Sequence, residues 1–190
     1  MKHLITILIP LFVLSCSERQ NPKQYSKQNF EITDFNSRDT LFRIPGNDYE
    51  PGEDFGYINQ EGDTIIPFGQ FTQSFTDTIV TYGIVMEKSG GNDVLIGINQ
   101  KGQRLYEVYW FDNGPDYIEE GMFRIIRNGK IGFADTTGKI VIEPQFECAY
   151  PFSNGQARVT FECELEKDLD HSVMKSDNWF YIDKKGIKKQ

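Results

Sequence analysis

Four segments of this 190-residue chain repeat one phrase, and that repetition constrains the fold more than any other feature. They are Phe55-Gly-Tyr-Ile-Asn-Gln-Glu-Gly62, Leu95-Ile-Gly-Ile-Asn-Gln-Lys-Gly102, Ile131-Gly-Phe-Ala-Asp-Thr-Thr-Gly138 and Trp179-Phe-Tyr-Ile-Asp-Lys-Lys-Gly186. Asn59, Asn99, Asp135 and Asp183 fall in one column, and glycines fall in another three residues later. Asn or Asp opens a tight turn by bonding nearby backbone, and Gly accepts the positive φ that brings the second strand back. The glycines lie 40, 36 and 48 residues apart, so a strand, a turn and a returning strand recur at each.

The third unit is the cleanest and predicts three strands. Ile131 to Ala134 enter the turn, Ile140 to Ile142 leave it, Glu143-Pro144-Gln145-Phe146 breaks the run, and Gln156 to Cys163 forms the last strand. In that strand Ala157, Val159, Phe161 and Cys163 alternate with Arg158, Thr160 and Glu162, the period of two of a sheet with one buried face. Gly121-Met-Phe-Arg-Ile125 matches Gly155-Gln-Ala-Arg-Val159 in the second unit, and Phe75 to Val80 takes the corresponding place in the first. No helical period of useful length follows residue 30. The chain is therefore expected to be all-β, with antiparallel three-strand repeats in an open twisted array or a barrel-like or propeller-like body. One such unit has bare edges and half a core, so it must stack on its neighbours.

These residues resemble the WG repeat family, also called the KWG repeat, of bacterial surface and secreted proteins. Gly132-Phe-Ala-Asp-Thr-Thr-Gly-Lys-Ile-Val-Ile-Glu-Pro-Gln-Phe146, followed by Phe152-Ser-Asn-Gly-Gln-Ala-Arg-Val159, carries the resemblance, which extends over about residues 55 to 187. No Trp-Gly pair is intact: the columns read Phe55-Gly56, Leu95-Ile96, Ile131-Gly132 and Trp179-Phe180. The resemblance implies β-rich repeats and interaction roles, and it carries over no catalytic residue. The expected repeats span about 55–94, 95–130, 131–178 and a partial 179–190. Residues 30–54 supply capping strands at Phe30 to Ile32 and Leu41 to Ile44, because an exposed sheet edge invites aggregation.

The first residues read as an address. Met1-Lys2-His3 precedes an apolar run from Leu4 to Leu14, too short for a helix that crosses a bilayer and right for a signal peptide. Val13-Leu14-Ser15-Cys16 resembles the lipobox of bacterial lipoproteins, which implies that residues 1–15 are removed and Cys16 carries the lipid. Residues 16–29 are a polar tether. The expected location is the cell envelope, as an outer-membrane lipoprotein facing the periplasm or the surface, held to the membrane by its lipid anchor.

Charge narrows the partners. With 28 acidic and 20 basic residues the formal net charge is −8, which disfavours nucleic acid, whose phosphates need clustered Lys and Arg. The expected partner is an envelope protein or a glycan. Tyr109, Trp110 and Phe111 run into Asp112, Asn113 and Asp116, and aromatics beside such polar groups grip sugar rings and peptides by stacking and hydrogen bonding; a core role for alternate aromatics is the plainer reading. Glu119-Glu120 forms no glycosidase pair if it lies in an extended strand, where neighbours point apart.

Cys148 and Cys163 either form a disulfide, permitted by export, or stay as two buried thiols. Asp168, Asp170 and His171, beside Glu162, Glu164 and Glu166, lack metal-ligand spacing and read as a solvated acidic loop. No metal and no cofactor are expected. The Asp-Thr pairs ending at Thr40, Thr64, Thr78 and Thr136 resemble O-glycosylation acceptors of some Gram-negative envelopes. The sequence holds no nucleophile elbow or phosphate loop. The expectation is a non-catalytic binding module; the rival is a small hydrolase or carbohydrate-active enzyme using acids such as Asp112, Asp116 or Glu143.

Overall fold

Each of the four phrases folds into the same turn. In the computed structural model, which describes residues 40–168 and 171–189, the N–H groups of Gly62, Gly102, Gly138 and Gly186 donate to the carbonyls of Asn59, Asn99, Asp135 and Asp183. The side-chain oxygens of those four residues accept backbone N–H groups two or four residues on, at 2.8 to 2.9 Å in their shortest bonds. All four glycines have φ between 69° and 90°. Local chemistry thus fixes where the chain reverses.

The strands that these turns join do not make closed repeats. β1 (Leu41–Ile44) pairs with β2 (Gly56–Ile58), which pairs across the first turn with β3 (Thr64–Ile66). After the short β4 (Gln73–Ser74) and β5 (Thr78–Ile79), a second triplet follows: β6 (Gly83–Ser89), β7 (Asn92–Ile98) and β8 (Arg104–Val108). The ribbon β9 (Trp110–Phe111) with β10 (Gly114–Pro115) precedes a third, β11 (Met122–Arg127), β12 (Lys130–Asp135) and β13 (Ile140–Phe146). β14 (Cys148–Ala149) then leads to β15 (Ala157–Thr160), the hairpin β16 (Glu164–Asp168) with β17 (His171–Lys175), and β18 (Phe180–Ile182). β15 pairs with β18, and Ile182 bridges to Lys188.

Every triplet therefore takes its first strand from one repeat and its other two from the next. β1, in the 30–54 segment, plays for repeat one the part that β6, β11 and β15 play for repeats two to four. The middle strand of a repeat then passes on to its own repeat's last strand: Val108 pairs with Ile125 at the end of β8, and β4 and β14 do the same against β6 and β15. Among the described residues the result is an open antiparallel array, all-β, with no closed barrel. The largest sheet has seven strands in the order β13-β12-β11-β8-β7-β6-β4.

Among the described residues, three buried clusters follow this exchange. One joins Leu41, Phe55, Tyr57, Ile66 and Ile79 to Ile96 and Ile98; the next joins Met86, Leu95, Tyr106 and Val108 to Phe123, Ile125 and Ala134. The last holds Met122, Ile131, Phe133, Ile142, Phe146, Phe152, Val159 and Ile182. Strands of successive repeats supply each cluster, as stacking of incomplete units requires. Burial of one such side chain, Phe133 at 1% exposure, contributes roughly 1.5 to 3 kcal/mol. Tyr106 crosses between units, its hydroxyl donating to the Gly138 carbonyl at 2.9 Å.

Four expectations are corrected. Pro144 does not break its strand: β13 runs through it, because the register against β12 shifts between Ile131 and Phe133, and a bulge tolerates a residue without an N–H. Gly132 makes this bulge possible, since a Cβ there would meet the Ile142 carbonyl at 2.5 Å. The strand expected to reach Cys163 ends at Thr160, which is buried, while Phe161 is exposed. The Thr160 hydroxyl donates to the Glu162 carbonyl and accepts from the Glu162 N–H, bending the chain there and turning Phe161 out toward Phe146 and Phe180. The expected acidic loop is the β16–β17 hairpin, paired from Glu164 opposite Lys175 to Asp168 opposite His171. Glu119 and Glu120 sit at a two-residue turn rather than in an extended strand, Glu120 having a φ of 53°.

The signal peptide 1–15, Cys16, the tether 16–29, the Phe30 to Ile32 strand and Asp170 lie outside the described residues.

Candidate functional site

The Tyr109 to Asp116 segment is an insertion. Tyr109 donates its N–H to the Arg124 carbonyl, and Tyr150 donates likewise to Arg158, so the two tyrosines occupy matching places in repeats two and three. Eleven residues separate Tyr109 from Gly121 and four separate Tyr150 from Gly155, so repeat two carries seven extra residues. These make the β9–β10 ribbon, in which Trp110 pairs with Pro115 and Phe111 with Gly114, with Asp112 at the tip in a left-handed conformation, φ 53°.

The ribbon is closed at its base by a buried ion pair. Arg124 approaches Asp116 with Nη2 to Oδ1 at 2.5 Å and Nε to Oδ2 at 2.9 Å, and the Arg124 N–H also donates to Oδ2 at 2.8 Å. Nη1 of Arg124 donates to the Ala149 carbonyl, and the guanidinium lies over the Tyr109 ring, 4.0 Å from its centroid. Burial raises the Tyr109 hydroxyl pKa above its ordinary value, against the lowering effect of Arg124. The Asp116 N–H donates to the Tyr109 carbonyl at 2.9 Å. A buried charge needs such complete satisfaction, and this one has it.

Asp116, expected to face a ligand, is instead turned inward: the pair with Arg124 consumes its carboxylate. Tyr109 is half-buried beneath that pair. Trp110 and Phe111, each 44% exposed, do face outward, with Asp112 and Asn113 exposed beside them. Tyr117 at 57% and Ile118 at 53% extend the surface, Tyr117 meeting Phe111 edge-on at 5.3 Å. Tyr117, Ile118 and the bracing Arg124 escaped the sequence reading. The signal lay in the match of Gly121-Met-Phe-Arg-Ile125 to Gly155-Gln-Ala-Arg-Val159, which exposes the length of the insertion between them.

The acids named for a rival enzyme take three different settings. Asp112 sits exposed at the ribbon tip, Asp116 is inside, and Glu143 is exposed on β13 with Arg127 3.7 Å away. Among the described residues no group of three or more His, Cys, Asp and Glu side chains is placed to hold a metal ion.

Cys148 and Cys163 are joined by a disulfide, with their Cα atoms 5.9 Å apart, tying β14 to the base of the β16–β17 hairpin. Thr64, Thr78 and Thr136 are exposed, and Thr40 is half-buried just before β1.

The architecture defines a class, an open array of β repeats that exchange strands with their neighbours. Residues 55–74 and 131–162 match the family model of the WG containing repeat, so the first and third units are similar to that repeat. No curated protein and no solved structure matches the chain.

Proposed function

We propose that this chain is an envelope-anchored, non-catalytic binding module, tethered by a lipid on Cys16, whose β repeats hold a protein or glycan partner. The observation that carries the reading is the braced insertion in repeat two. Seven residues absent from repeat three are pinned by the Arg124–Asp116 pair and keep Trp110 and Phe111 at the surface, with Tyr117 and Ile118 beside them. Holding large apolar side chains in water is unfavourable, and clustered aromatics of this kind mark contact surfaces. The flanking Asp112 and Asn113 supply the polar rim. Glycans on Thr40, Thr64, Thr78 or Thr136 would decorate other parts of the array, and an intact mass equal to that of the unmodified lipoprotein removes that part of the reading.

The test compares the lipidated protein with its Trp110→Ser/Tyr117→Ser variant, both purified from membranes with mild detergent. The expected outcome is one envelope component recovered in near-equal amount with the natural chain and lost with the variant. Equal recovery with both overturns the assignment of the surface. A Cys16→Ser protein that stays with the membrane overturns the anchor.

A further inference from the structure

The strand exchange superimposes three arginines. In the first strand of each triplet, Arg43 faces Tyr57, Arg124 faces Phe133 and Arg158 faces Tyr181, with Ile84 opposite Gly97 in the remaining one. Each arginine lies over an aromatic ring: Arg43 over Tyr49 at 4.2 Å, Arg124 over Tyr109 at 4.0 Å and Arg158 over Trp179 at 4.6 Å, with Tyr150 at 5.9 Å. Two of the three hold a carboxylate from their own chain. Asp77 Oδ1 is 2.7 Å from Arg43 Nη2, and Asp116 grips Arg124 by both oxygens. Arg158 has the platform and, among the described residues, no acid.

We infer that Arg158 is a binding site for an aspartate or glutamate side chain of a partner polypeptide. A guanidinium stacked on a ring keeps its N–H groups in plane and aimed outward, the geometry a carboxylate takes bidentately. Here it borders an open groove of 310 Å³ lined by Tyr150, Pro151, Ser153, Gln156, Arg158 and Tyr181. Repeat two shows what fills such a place: a carboxylate whose own backbone N–H bonds the tyrosine carbonyl, as Asp116 does to Tyr109. The matching Tyr150 carbonyl accepts from no backbone N–H among the described residues. In repeat two one aspartate supplies both the carboxylate to the arginine and the N–H to the tyrosine carbonyl, a pairing that an acidic residue of a peptide reproduces. The inference stands on repeats three and four and goes beyond the Trp110 surface.

The two tryptophans, Trp110 and Trp179, are expected to give one indole N–H signal for each surface by NMR. The full chain is titrated with a blocked tripeptide carrying a central aspartate, with its asparagine counterpart, and with oligogalacturonate. The expected result is a saturable shift of the Trp179 signal with the aspartate peptide alone, weak as befits one partly exposed ion pair. It is lost in Arg158→Gln, reduced in Arg158→Lys, which keeps the charge without the fork, and leaves the Trp110 signal unmoved. Arg158 is exposed, so both variants fold, and unchanged far-field amide signals verify it. No saturable shift, or one that survives Arg158→Gln, overturns the site. A shift with oligogalacturonate only overturns the peptide assignment. Neither result touches the Trp110 surface, whose own variants test it.

Discussion

Arg124 and Asp116 meet in two parallel hydrogen bonds inside the protein, their side chains 3% and 1% exposed, eight residues apart along the chain. This pair joins a core strand to the base of an exposed ribbon, so it couples the stability of the array to the presentation of its surface. Asp116→Ala leaves a buried guanidinium unpaired and is expected to cost about 3 to 5 kcal/mol in urea denaturation. Replacing both residues, Asp116→Leu with Arg124→Met, is expected to restore most of that loss. A single-variant cost below about 1 kcal/mol contradicts the buried pair.

The disulfide closes a separation of 15 residues, and its reduction is expected to lower stability by roughly 3 kcal/mol through the unfolded chain's regained freedom. Thermal melts with and without reductant measure it. The Cys148→Ser/Cys163→Ser protein should melt with the reduced natural chain, and insensitivity of the natural chain to reductant would contradict the bridge.

Gly132 and Gly46 make a matched test of close approach. Neither lies at positive φ, but a Cβ on Gly132 meets the Ile142 carbonyl at 2.5 Å and Pro144 N at 2.6 Å, whereas one on Gly46 meets nothing closer than 3.9 Å. Gly132→Ala is expected to destabilise by about 1 to 3 kcal/mol, as overpacking does, and Gly46→Ala to stay within about 0.5 kcal/mol. Equal effects at the two sites would show that the β13 bulge does not press on Gly132.

Alkaline pH should loosen the first cluster. Burial pushes the Tyr57 hydroxyl from 10.0 up to about 12, opposed by its hydrogen bond with Ser74. A pKa raised in the folded state gives stability that is whole below pH 10 and lost as pH climbs through about 12. Tyr57→Phe is therefore expected to flatten the fall of unfolding free energy between pH 10 and 12 by about one proton's worth of slope. The same slope in both proteins contradicts the assignment.

The fold is legible in the sequence where its chemistry is local and hidden where partners are distant along the chain. The Asn59, Asn99, Asp135 and Asp183 turns were legible because each side chain bonds its own backbone within four residues. The exchange of strands was not, since nothing in Arg43 or Tyr57 announces that they will lie opposite each other. β11 hid its Arg124 because both of its faces are covered, Met122 to Ile125 being buried without alternation. The β16–β17 hairpin was masked by acidic residues that sit on exposed strands as readily as on loops. Trp110 and Phe111 stand out in the local sequence beside Asp112 and Asn113, their exposure not being written there, whereas the place of Asp116 follows only once its cation is located.

In-cell photo-crosslinking from the ribbon is the most direct test of binding through the Trp110 surface. A photoreactive residue is placed at Tyr117 and, as a control, at Val141, an exposed side chain on β13. The account predicts that position 117 captures one envelope protein or glycan, identified by mass spectrometry, and that position 141 does not capture it. Identical products from both positions, or none from position 117 with the protein at its natural level, would contradict a binding surface built on the insertion.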